Sequence, residues 1–283
     1  MIVPGSESQA LGAALAAETG EPLAAVRYER FPDGERMASV EVPADADRAV
    51  VVAATTTDAA HVELLQLQDA VREAGVEEVV TVLPYMGYGR QERAFEPGQP
   101  VSARAVARAI STGTDRVVLV DPHEASVTDC FDVPCDVVRA ASRLATPLPG
   151  GLTDPLFLSP DAGAVSLAES VRDAYGRGAV DYFDKVRHSG TEVEITPGDA
   201  AVEGRDVVVV DDIVATGTTM SESIAVLDDR AAAAVYVACV HPLLARAART
   251  KLERAGVEAI YATDTIERDV TAVSVAPALA DAL

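Results

Sequence analysis

Short valine-rich runs that alternate with alanine-rich stretches constrain the fold of this chain more than any other feature. Runs this apolar are buried on both faces when they form strands, and helices between them supply the cover. The pattern therefore predicts an α/β fold built on mainly parallel sheets. The apolar runs span residues 49–53, 79–83, 117–120, 207–210 and 235–240, and the helical stretches span residues 59–74, 101–111, 219–229 and 243–255.

One strand, helix and strand unit is repeated along the chain. The segment AVVVAATTTDAAHVELLQLQDAVREAGVEEVVTVLPY, from Ala49, aligns with DVVVVDDIVATGTTMSESIAVLDDRAAAAVYVACVHPL, from Asp206. Any two such units share some likeness, but duplication also accounts for the 283 residues, since domains cluster at roughly 100 to 150 residues. We expect two domains, residues 1–142 and 143–283, joined where ASRLATPLPGGLTDP concentrates proline and glycine. The segment from residue 263 to the C-terminus is expected to pack on the first domain.

The charge balance is strongly acidic. The chain has 45 acidic and 23 basic residues, a formal net charge of -22, and its only lysines are Lys185 and Lys251. Such a surface repels itself in dilute buffer, whereas molar salt shortens the Debye length to about 3 Å. The composition therefore predicts a protein that folds in molar salt, with an ordinary acidic protein as the alternative, and it argues against nucleic-acid binding.

The sequence contains no signal for a membrane or for secretion. It lacks an apolar run of about 18 residues and an N-terminal basic-then-apolar order. The three cysteines, Cys130, Cys135 and Cys239, are too few and odd in number for a disulfide framework, and their spacing is not that of a zinc site. We therefore expect a cytoplasmic protein that does not bind a membrane.

The stretch VVVVDDIVATGTTM places two carboxylates directly after a buried strand. Ligands of open parallel sheets bind beyond the carboxyl ends of the strands, which is where Asp211 and Asp212 lie. The following residues offer N–H groups, hydroxyls and the start of a helix, which suit a phosphate. Carboxylates beside a phosphate repel it unless they hold sugar hydroxyls or Mg²⁺, so a ribose phosphate fits both features. An Asp cap on a plain turn is the alternative. The loop consists of Ala215, Thr216, Gly217, Thr218 and Thr219.

The string DDIVATGTT resembles the phosphoribosyl-binding signature of type I phosphoribosyltransferases and of ribose-phosphate pyrophosphokinases. Neither a Walker A loop nor a G-x-G-x-x-G fingerprint is present. The resemblance implies two type I phosphoribosyltransferase-like domains. The signature alone does not separate enzymes that consume phosphoribosyl pyrophosphate from those that make it.

Two further motifs are similar to the ATP-side loops of ribose-phosphate pyrophosphokinases. FPDGE resembles the adenine-contacting loop, although by itself it is also a plain hairpin turn. The segment PYMGYGRQERAFEPGQPVSARAVARAI, which opens into a helix at residue 101 or 102, resembles the YxRQ loop, whose planar donors suit phosphate oxygens. The resemblance implies that ATP contacts Phe31, Asp33, Gly34, Glu35, Arg90, Gln91 and Arg93.

The remaining motifs favour the pyrophosphokinases. His123, in VVLVDPHEAS, matches their D-x-H element, and Asp161, in LSPDAGAV, matches a strand end that supplies an Mg²⁺-associated carboxylate. A lone histidine is more often structural, so this metal assignment depends on the resemblance. VDYFDKVRHSGTEVEI predicts an antiparallel flap that carries Lys185 and Arg187. Their K-x-R pattern resembles the mobile catalytic loop of the family, and Arg187 is also implied to contact ribose 5-phosphate.

The motifs follow one another in the order of an archaeal, halophilic ribose-phosphate pyrophosphokinase. That family passes the diphosphoryl group of Mg·ATP to the 1-hydroxyl of ribose 5-phosphate and forms dimers or larger oligomers. Asp211 is a candidate base for that hydroxyl. Ala215 stands where many members have an acid, and Thr218 stands where many have glycine. The alternatives are a salvage phosphoribosyltransferase and a catalytically silent regulator on the same fold.

Overall fold

The structure, a computed structural model, describes residues 1–187, 193–197 and 201–283, with the side chains of residues 1–183 and 201–283. The chain divides into two compact units. Unit 1 comprises Met1–Arg139, Asp264–Glu267 and Ser274–Leu283, and unit 2 comprises Ala140–Thr263 and Arg268–Val273. The chain passes from unit 1 to unit 2 between residues 139 and 140. The sequence predicted this junction between residues 142 and 143.

Unit 1 is built on a five-stranded sheet in the order β1-β4-β5-β6-β7. All neighbouring strands in this sheet are parallel, whereas β2 and β3 form a separate antiparallel hairpin. The elements are β1 (Ile2–Pro4), α1 (Gln9–Thr19), β2 (Ala25–Arg30), β3 (Arg36–Glu41), β4 (Arg48–Val52), α2 (Asp58–Glu73), β5 (Glu78–Leu83), α3 (Ser102–Ser111), β6 (Arg116–Val120) and β7 (Cys135–Val138).

Buried valines hold the central strands of unit 1. Val50, Val80 and Val118 lie on β4, β5 and β6 and are fully buried, as expected for a sheet that is covered on both faces. The helix α2 begins where the side chain of Thr57 accepts a 3.1 Å hydrogen bond from the N–H of Ala60. A capping threonine satisfies one of the N–H groups that a helix start leaves unpaired.

Unit 2 is built on a seven-stranded sheet in the order β10-β9-β8-β11-β12-β13-β14. Strands β9 and β10 pair antiparallel, and the other neighbours are parallel. The elements are β8 (Leu156–Ser159), α4 (Val165–Tyr175), β9 (Ala179–Arg187), β10 (Val193–Pro197), β11 (Asp206–Ile213), α5 (Thr218–Asp229), β12 (Ala234–His241), α6 (Ala248–Arg254), β13 (Ala259–Thr263) and β14 (Thr271–Val273).

The last helix of the chain belongs to unit 1. This helix, α7 (Ala276–Ala280), packs on α1. Arg116 Nη2 donates a 2.9 Å hydrogen bond to the carbonyl oxygen of Ala282, and Arg48 Nη2 donates one of 3.2 Å to the carbonyl oxygen of Leu283. The C-terminal residues are thereby fixed to the unit that the first strands build.

The predicted α/β fold with two duplicated domains and an antiparallel pair is confirmed by the sheets and by the comparisons reported below. Two predicted boundaries are wrong. β11 continues past residue 210 because Asp211 and Ile213 still pair with β12. The predicted helix 243–255 begins only at Ala248, because Leu244 and Arg246 have positive φ angles of 44° and 58°, which interrupt a right-handed helix. None of the helices in the described residues combines the length and the apolar composition that a membrane span needs.

Candidate functional site

The carboxyl ends of β8 and β11 form the topological switch point of unit 2. The chain leaves β8 for β9 on one side and later returns as β11 on the other side of β8. Loops therefore diverge between β8 and β11, which opens a crevice at that edge of a parallel sheet. Asp161 lies two residues after β8, and Asp211 and Asp212 are among the last three residues of β11. The structure thus brings three predicted site residues to one place.

These carboxylates repel one another. The pKa of Asp211 is raised well above its usual range, first by burial, then by the charge of Asp212 and, more weakly, by that of Asp161. The N–H of Asp212 donates a 2.9 Å hydrogen bond to Asp211 Oδ1, and the N–H of Ile213 donates one of 2.8 Å to Asp212 Oδ1. Both side chains are therefore held by local backbone, in an arrangement that a hydroxyl donor or a cation would stabilise.

The loop after β11 presents small and hydroxyl-bearing residues at the start of α5. Gly217 caps that helix in the left-handed region, with φ 70°, and a Cβ there would lie 3.2 Å from the carbonyl oxygen of Ala248. The hydroxyl oxygens of Thr216 and Thr218 are 3.4 Å apart, and both side chains, like that of Thr219, are exposed. Free N–H groups at a helix start together with hydroxyls suit a phosphate.

Lys251 is a residue of this loop region that the sequence motifs missed. Its Nζ donates a 3.0 Å hydrogen bond to Thr218 Oγ1 from helix α6, 33 residues further along the chain. Residues 215–219 contain no basic side chain, so Lys251 supplies a positive charge that the loop lacks. The scarcity of lysine in this chain is the sequence signal that points to Lys251.

The FPDGE segment forms the turn between β2 and β3 in unit 1. The N–H of Phe31 donates to the carbonyl oxygen of Glu35 at 2.8 Å, and the N–H of Glu35 donates to Asp33 Oδ1 at 3.1 Å. Gly34 has a φ of 99° and closes the turn. Every residue of this segment is exposed, and Phe31 is 41% exposed. A hairpin turn therefore presents an aromatic face together with two carboxylates.

The RQER loop follows β5 in unit 1 and is tied to helix α3. Ser102 Oγ donates a 2.5 Å hydrogen bond to Gln91 Oε1, and the N–H of Ala103 donates to the carbonyl oxygen of Gln91. The guanidinium of Arg93 lies 5.2 Å from the centroid of the Phe95 ring, while Arg90 is exposed. The loop thus fixes its glutamine and leaves planar cations at the surface.

Two residues next to the unit 1 motifs have backbone strain that the sequence did not reveal. Tyr88, in the loop before Arg90, has a φ of 62°, and its hydroxyl donates a 2.5 Å hydrogen bond to Asp58. Asp121, at the end of β6, has a φ of 35° and is buried, with Arg139 Nη1 3.5 Å from its Oδ1. Non-glycine residues in this conformation cluster at binding sites. His123, two residues on, is exposed.

The predicted flap is present as the antiparallel pair β9 and β10. Lys185 is opposite Ile195, and Arg187 is opposite Val193. The side chains of both basic residues lie outside the described part of the structure.

The donor set at the switch point fits Mg²⁺ that is shared with a ligand. Among the described residues, no three His, Cys, Asp or Glu side chains form a ready metal site. Mg²⁺ is usually held by one or two carboxylates while it keeps waters or takes phosphate oxygens. Asp161 and the Asp211–Asp212 pair supply such carboxylates, and their mutual repulsion favours a cation there.

Known proteins match both halves of the chain. Residues 1–113 match the family model of the N-terminal domain of ribose phosphate pyrophosphokinase, and residues 132–278 match that of the phosphoribosyl transferase domain.

Full-length relatives and a solved structure agree with those matches. A ribose-phosphate pyrophosphokinase from Halobacterium salinarum is 65% identical over 283 residues, which cover 100% of both chains. One from Methanopyrus kandleri is 44% identical over 288 residues, covering 100% of this chain and 98% of the relative. The crystal structure of phosphoribosylpyrophosphate synthetase from Mycobacterium smegmatis matches with a TM-score of 0.84 and 26% identity, covering 100% of this chain and 96% of that one.

Proposed function

This chain belongs to the ribose-phosphate pyrophosphokinase family, and we propose on that premise that it makes 5-phosphoribosyl 1-diphosphate for nucleotide biosynthesis in the cytoplasm. The 1-hydroxyl oxygen of ribose 5-phosphate attacks the β-phosphorus of ATP. The bond between that phosphorus and the oxygen bridging it to the α-phosphorus breaks, AMP leaves, and the hydroxyl proton is lost. Catalysis of such a transfer depends on positioning and on stabilising charge, since the protein does little covalent chemistry.

One observation carries the sugar phosphate assignment: a pair of carboxylates and a phosphate-binding loop adjoin each other at the switch point of unit 2. Asp211 and Asp212 would accept hydrogen bonds from the ribose hydroxyls. The 5-phosphate would bind the N–H groups and hydroxyls of residues 215–219 at the start of α5. A ligand that combines hydroxyls with a phosphate meets both sets of groups, whereas a free phosphate would be repelled by the carboxylates.

The exposed loops of unit 1 are proposed to bind ATP. The Phe31 ring would stack on the adenine, and Asp33 and Glu35 would accept hydrogen bonds from it. Arg90 and Arg93 would bind phosphate oxygens through their planar guanidinium groups, with Gln91 held in place by Ser102. The fixed turn at Gly34 presents the Phe31 ring and the two carboxylates without a large ordering cost on binding.

We propose that Mg²⁺ is the cofactor. Asp161 in unit 2 and His123 in unit 1 are each proposed as a ligand of Mg²⁺, directly or through water. When bound, Mg²⁺ neutralises charge on the phosphate oxygens of ATP. The chain's own residues position the two substrates.

The flap is proposed to supply the catalytic cations. Lys185 and Arg187 would lie over the reacting phosphates, meet the charge that develops during transfer and exclude water. Arg187 would also contact ribose 5-phosphate. Both residues lie on β9, which pairs with β10, and this pairing supports a role for the two strands as one structural element.

Formation of AMP tests this proposal. Purified protein in molar KCl is incubated with Mg·ATP, with and without ribose 5-phosphate, and AMP is followed by chromatography. AMP that appears only with the sugar phosphate supports diphosphoryl transfer. Consumption of phosphoribosyl pyrophosphate with a free base and without ATP would instead support a salvage transferase, and a folded protein inactive in both assays would be a silent regulator.

The quaternary structure is proposed from family membership alone. We expect a dimer or a larger homo-oligomer, which light scattering of the protein in molar KCl measures directly.

A further inference from the structure

Lys251 carries a positive charge that no neighbouring acid neutralises among the described residues. Glu253, on the same helix α6, pairs with Arg249, whose Nε lies 2.8 Å from it, and Asp269 pairs with Arg249 as well. The Lys251 ammonium instead donates a hydrogen bond to the Thr218 hydroxyl, 3.0 Å away. In a chain with net charge -22, a lysine directed at a hydroxyl is an unusual use of one of two lysines.

The direction of this hydrogen bond determines what Thr218 can do. An ammonium has donors only, so Thr218 Oγ1 must be the acceptor. The Thr218 proton is then free to be donated elsewhere, either to Thr216 Oγ1, 3.4 Å away, or to an anion above the loop. A hydroxyl that accepts from a cation is also polarised and becomes a stronger donor.

A cation at this position would stabilise a phosphate in the loop. The loop lies next to Asp211 and Asp212, and residues 215–219 bring no basic side chain of their own. Thr218 is the first residue of α5, so its hydroxyl and the Lys251 ammonium together place a donor and a positive charge at the start of that helix.

We propose that Lys251 binds the 5-phosphate of ribose 5-phosphate, both through its own ammonium and by orienting the Thr218 hydroxyl toward a phosphate oxygen. This inference rests on the proposed function, since it concerns the same sugar phosphate. It assigns substrate recognition to helix α6, which carries none of the signature motifs. The dianionic 5-phosphate is therefore the part of the substrate that Lys251 recognises.

The matched pair of variants is Lys251→Met and Arg254→Met. Each removes one positive charge from an exposed position on helix α6. In molar KCl, Lys251→Met should raise the KM for ribose 5-phosphate by about 10- to 100-fold, the range for a lost charge-assisted hydrogen bond. The KM for ATP and kcat at saturating sugar phosphate should change little, and Lys251→Arg should recover part of the loss. Arg254→Met should behave as the parent protein in all three measurements.

Direct binding keeps this test independent of turnover. Isothermal titration with ribose 5-phosphate and with ribose, on variants whose thermal melts match the parent, separates phosphate recognition from general damage. Lys251→Met should weaken the phosphorylated sugar selectively, and Thr218→Val should add little to it because the two residues act together. Equal loss for both sugars, or binding of ribose 5-phosphate as tight as the parent's, would overturn the proposal.

Different outcomes would exclude the proposed function and the role of Lys251. If the parent protein binds no ribose 5-phosphate, the proposed function fails and this inference fails with it. If the parent binds it and Lys251→Met binds it equally well, only the role of Lys251 is lost.

Discussion

The N–H of Ala245 donates a 2.9 Å hydrogen bond to the carbonyl oxygen of Ala215, the first residue of the proposed phosphate loop. The adjacent N–H of Leu244 bonds the carbonyl oxygen of Val214 in the same way, also at 2.9 Å. The segment after β12 is therefore paired with the backbone at the start of the loop instead of forming the first turn of a helix. The next element, α6, then supplies Ala248 beneath Gly217 and Lys251 beside Thr218.

Gly217→Ala should damage sugar phosphate binding. Its φ of 70° is costly for a side chain, and the new Cβ would lie 3.2 Å from the carbonyl oxygen of Ala248. Gly204→Ala is the control, since Gly204 has a φ of 72° but nothing within 4 Å of its Cβ position. Both variants should lose about 1 kcal/mol of stability from backbone strain. Only Gly217→Ala should raise the KM for ribose 5-phosphate, and equal KM values would show that the contact with Ala248 is unimportant.

Asp211→Asn should stabilise the protein while abolishing turnover. Burial and the nearby carboxylates raise the pKa of Asp211, so the folded state holds its proton more tightly than the unfolded state. Its contribution to stability is then lost as the pH rises from the usual aspartate range through the raised pKa, and a neutral asparagine removes that loss at pH 7. A thermal melt should shift upward by a few degrees.

The control for that variant lies at the other end of the same strand. Asp206 Oδ2 accepts a 2.5 Å hydrogen bond from the N–H of Thr153, so Asp206→Asn should leave the melting temperature unchanged or lower it. A melting temperature that falls in Asp211→Asn would contradict the conclusion that function, not stability, keeps a carboxylate there.

Lys185→Ala should reduce kcat by about 10²- to 10³-fold or more, the usual cost of removing one electrostatic contact to a transition state. The dissociation constant for Mg·ATP should change little, because the contact is made during transfer. Steady-state kinetics together with nucleotide binding separate these effects, and Lys185→Arg shows how much depends on charge alone. Turnover near that of the parent would remove Lys185 from the mechanism.

The stability of unit 1 should depend on the ionisation of His61. Burial lowers the pKa of this histidine below its usual 6.5, and its Nε2 is buried without a hydrogen-bond partner in the described structure. His61 therefore binds a proton more weakly in the folded chain than in the unfolded chain, and stability falls as the pH drops below about 6.5. Urea unfolding between about pH 5 and 7 should show a shallower pH slope in His61→Leu than in the parent. Identical slopes would mean that His61 is not the group responsible.

The acidic surface should make folding depend on salt. Self-repulsion at a net charge of -22 is screened in molar KCl, where the Debye length is about 3 Å. The melting temperature should therefore rise strongly between dilute buffer and molar KCl. An unchanged melting temperature would leave the scarcity of lysine without this explanation.

The sequence predicted most of the fold because buried parallel strands have a composition that local physics enforces. The runs around Val80, Val118 and Val209 appear as strands in the structure. The start of α6 was missed because its cause is not local. The N–H groups of Leu244 and Ala245 bond carbonyl oxygens thirty residues earlier in the chain, and no alanine-rich pattern records such a partner.

The site divides along the same line. Asp161 lies two residues after β8, and Asp211 and Asp212 lie at the carboxyl end of β11, so parallel topology alone places them together. Lys251 carries no motif and reaches Thr218 only through the packing of α6 beside α5. The strained backbone of Asp121 and Tyr88 also depends on surroundings that sequence patterns do not encode.

In the proposed reaction the diphosphoryl group, and not a single phosphoryl group, moves to ribose 5-phosphate. Phosphorus NMR of a reaction in molar KCl with Mg·ATP and ribose 5-phosphate identifies which phosphorus is attacked. Diphosphoryl transfer should give equal amounts of AMP and of a sugar that carries its 5-phosphate together with a new diphosphate on C1. Formation of ADP and a sugar bisphosphate, or no reaction by protein shown to be folded in that salt, would contradict it.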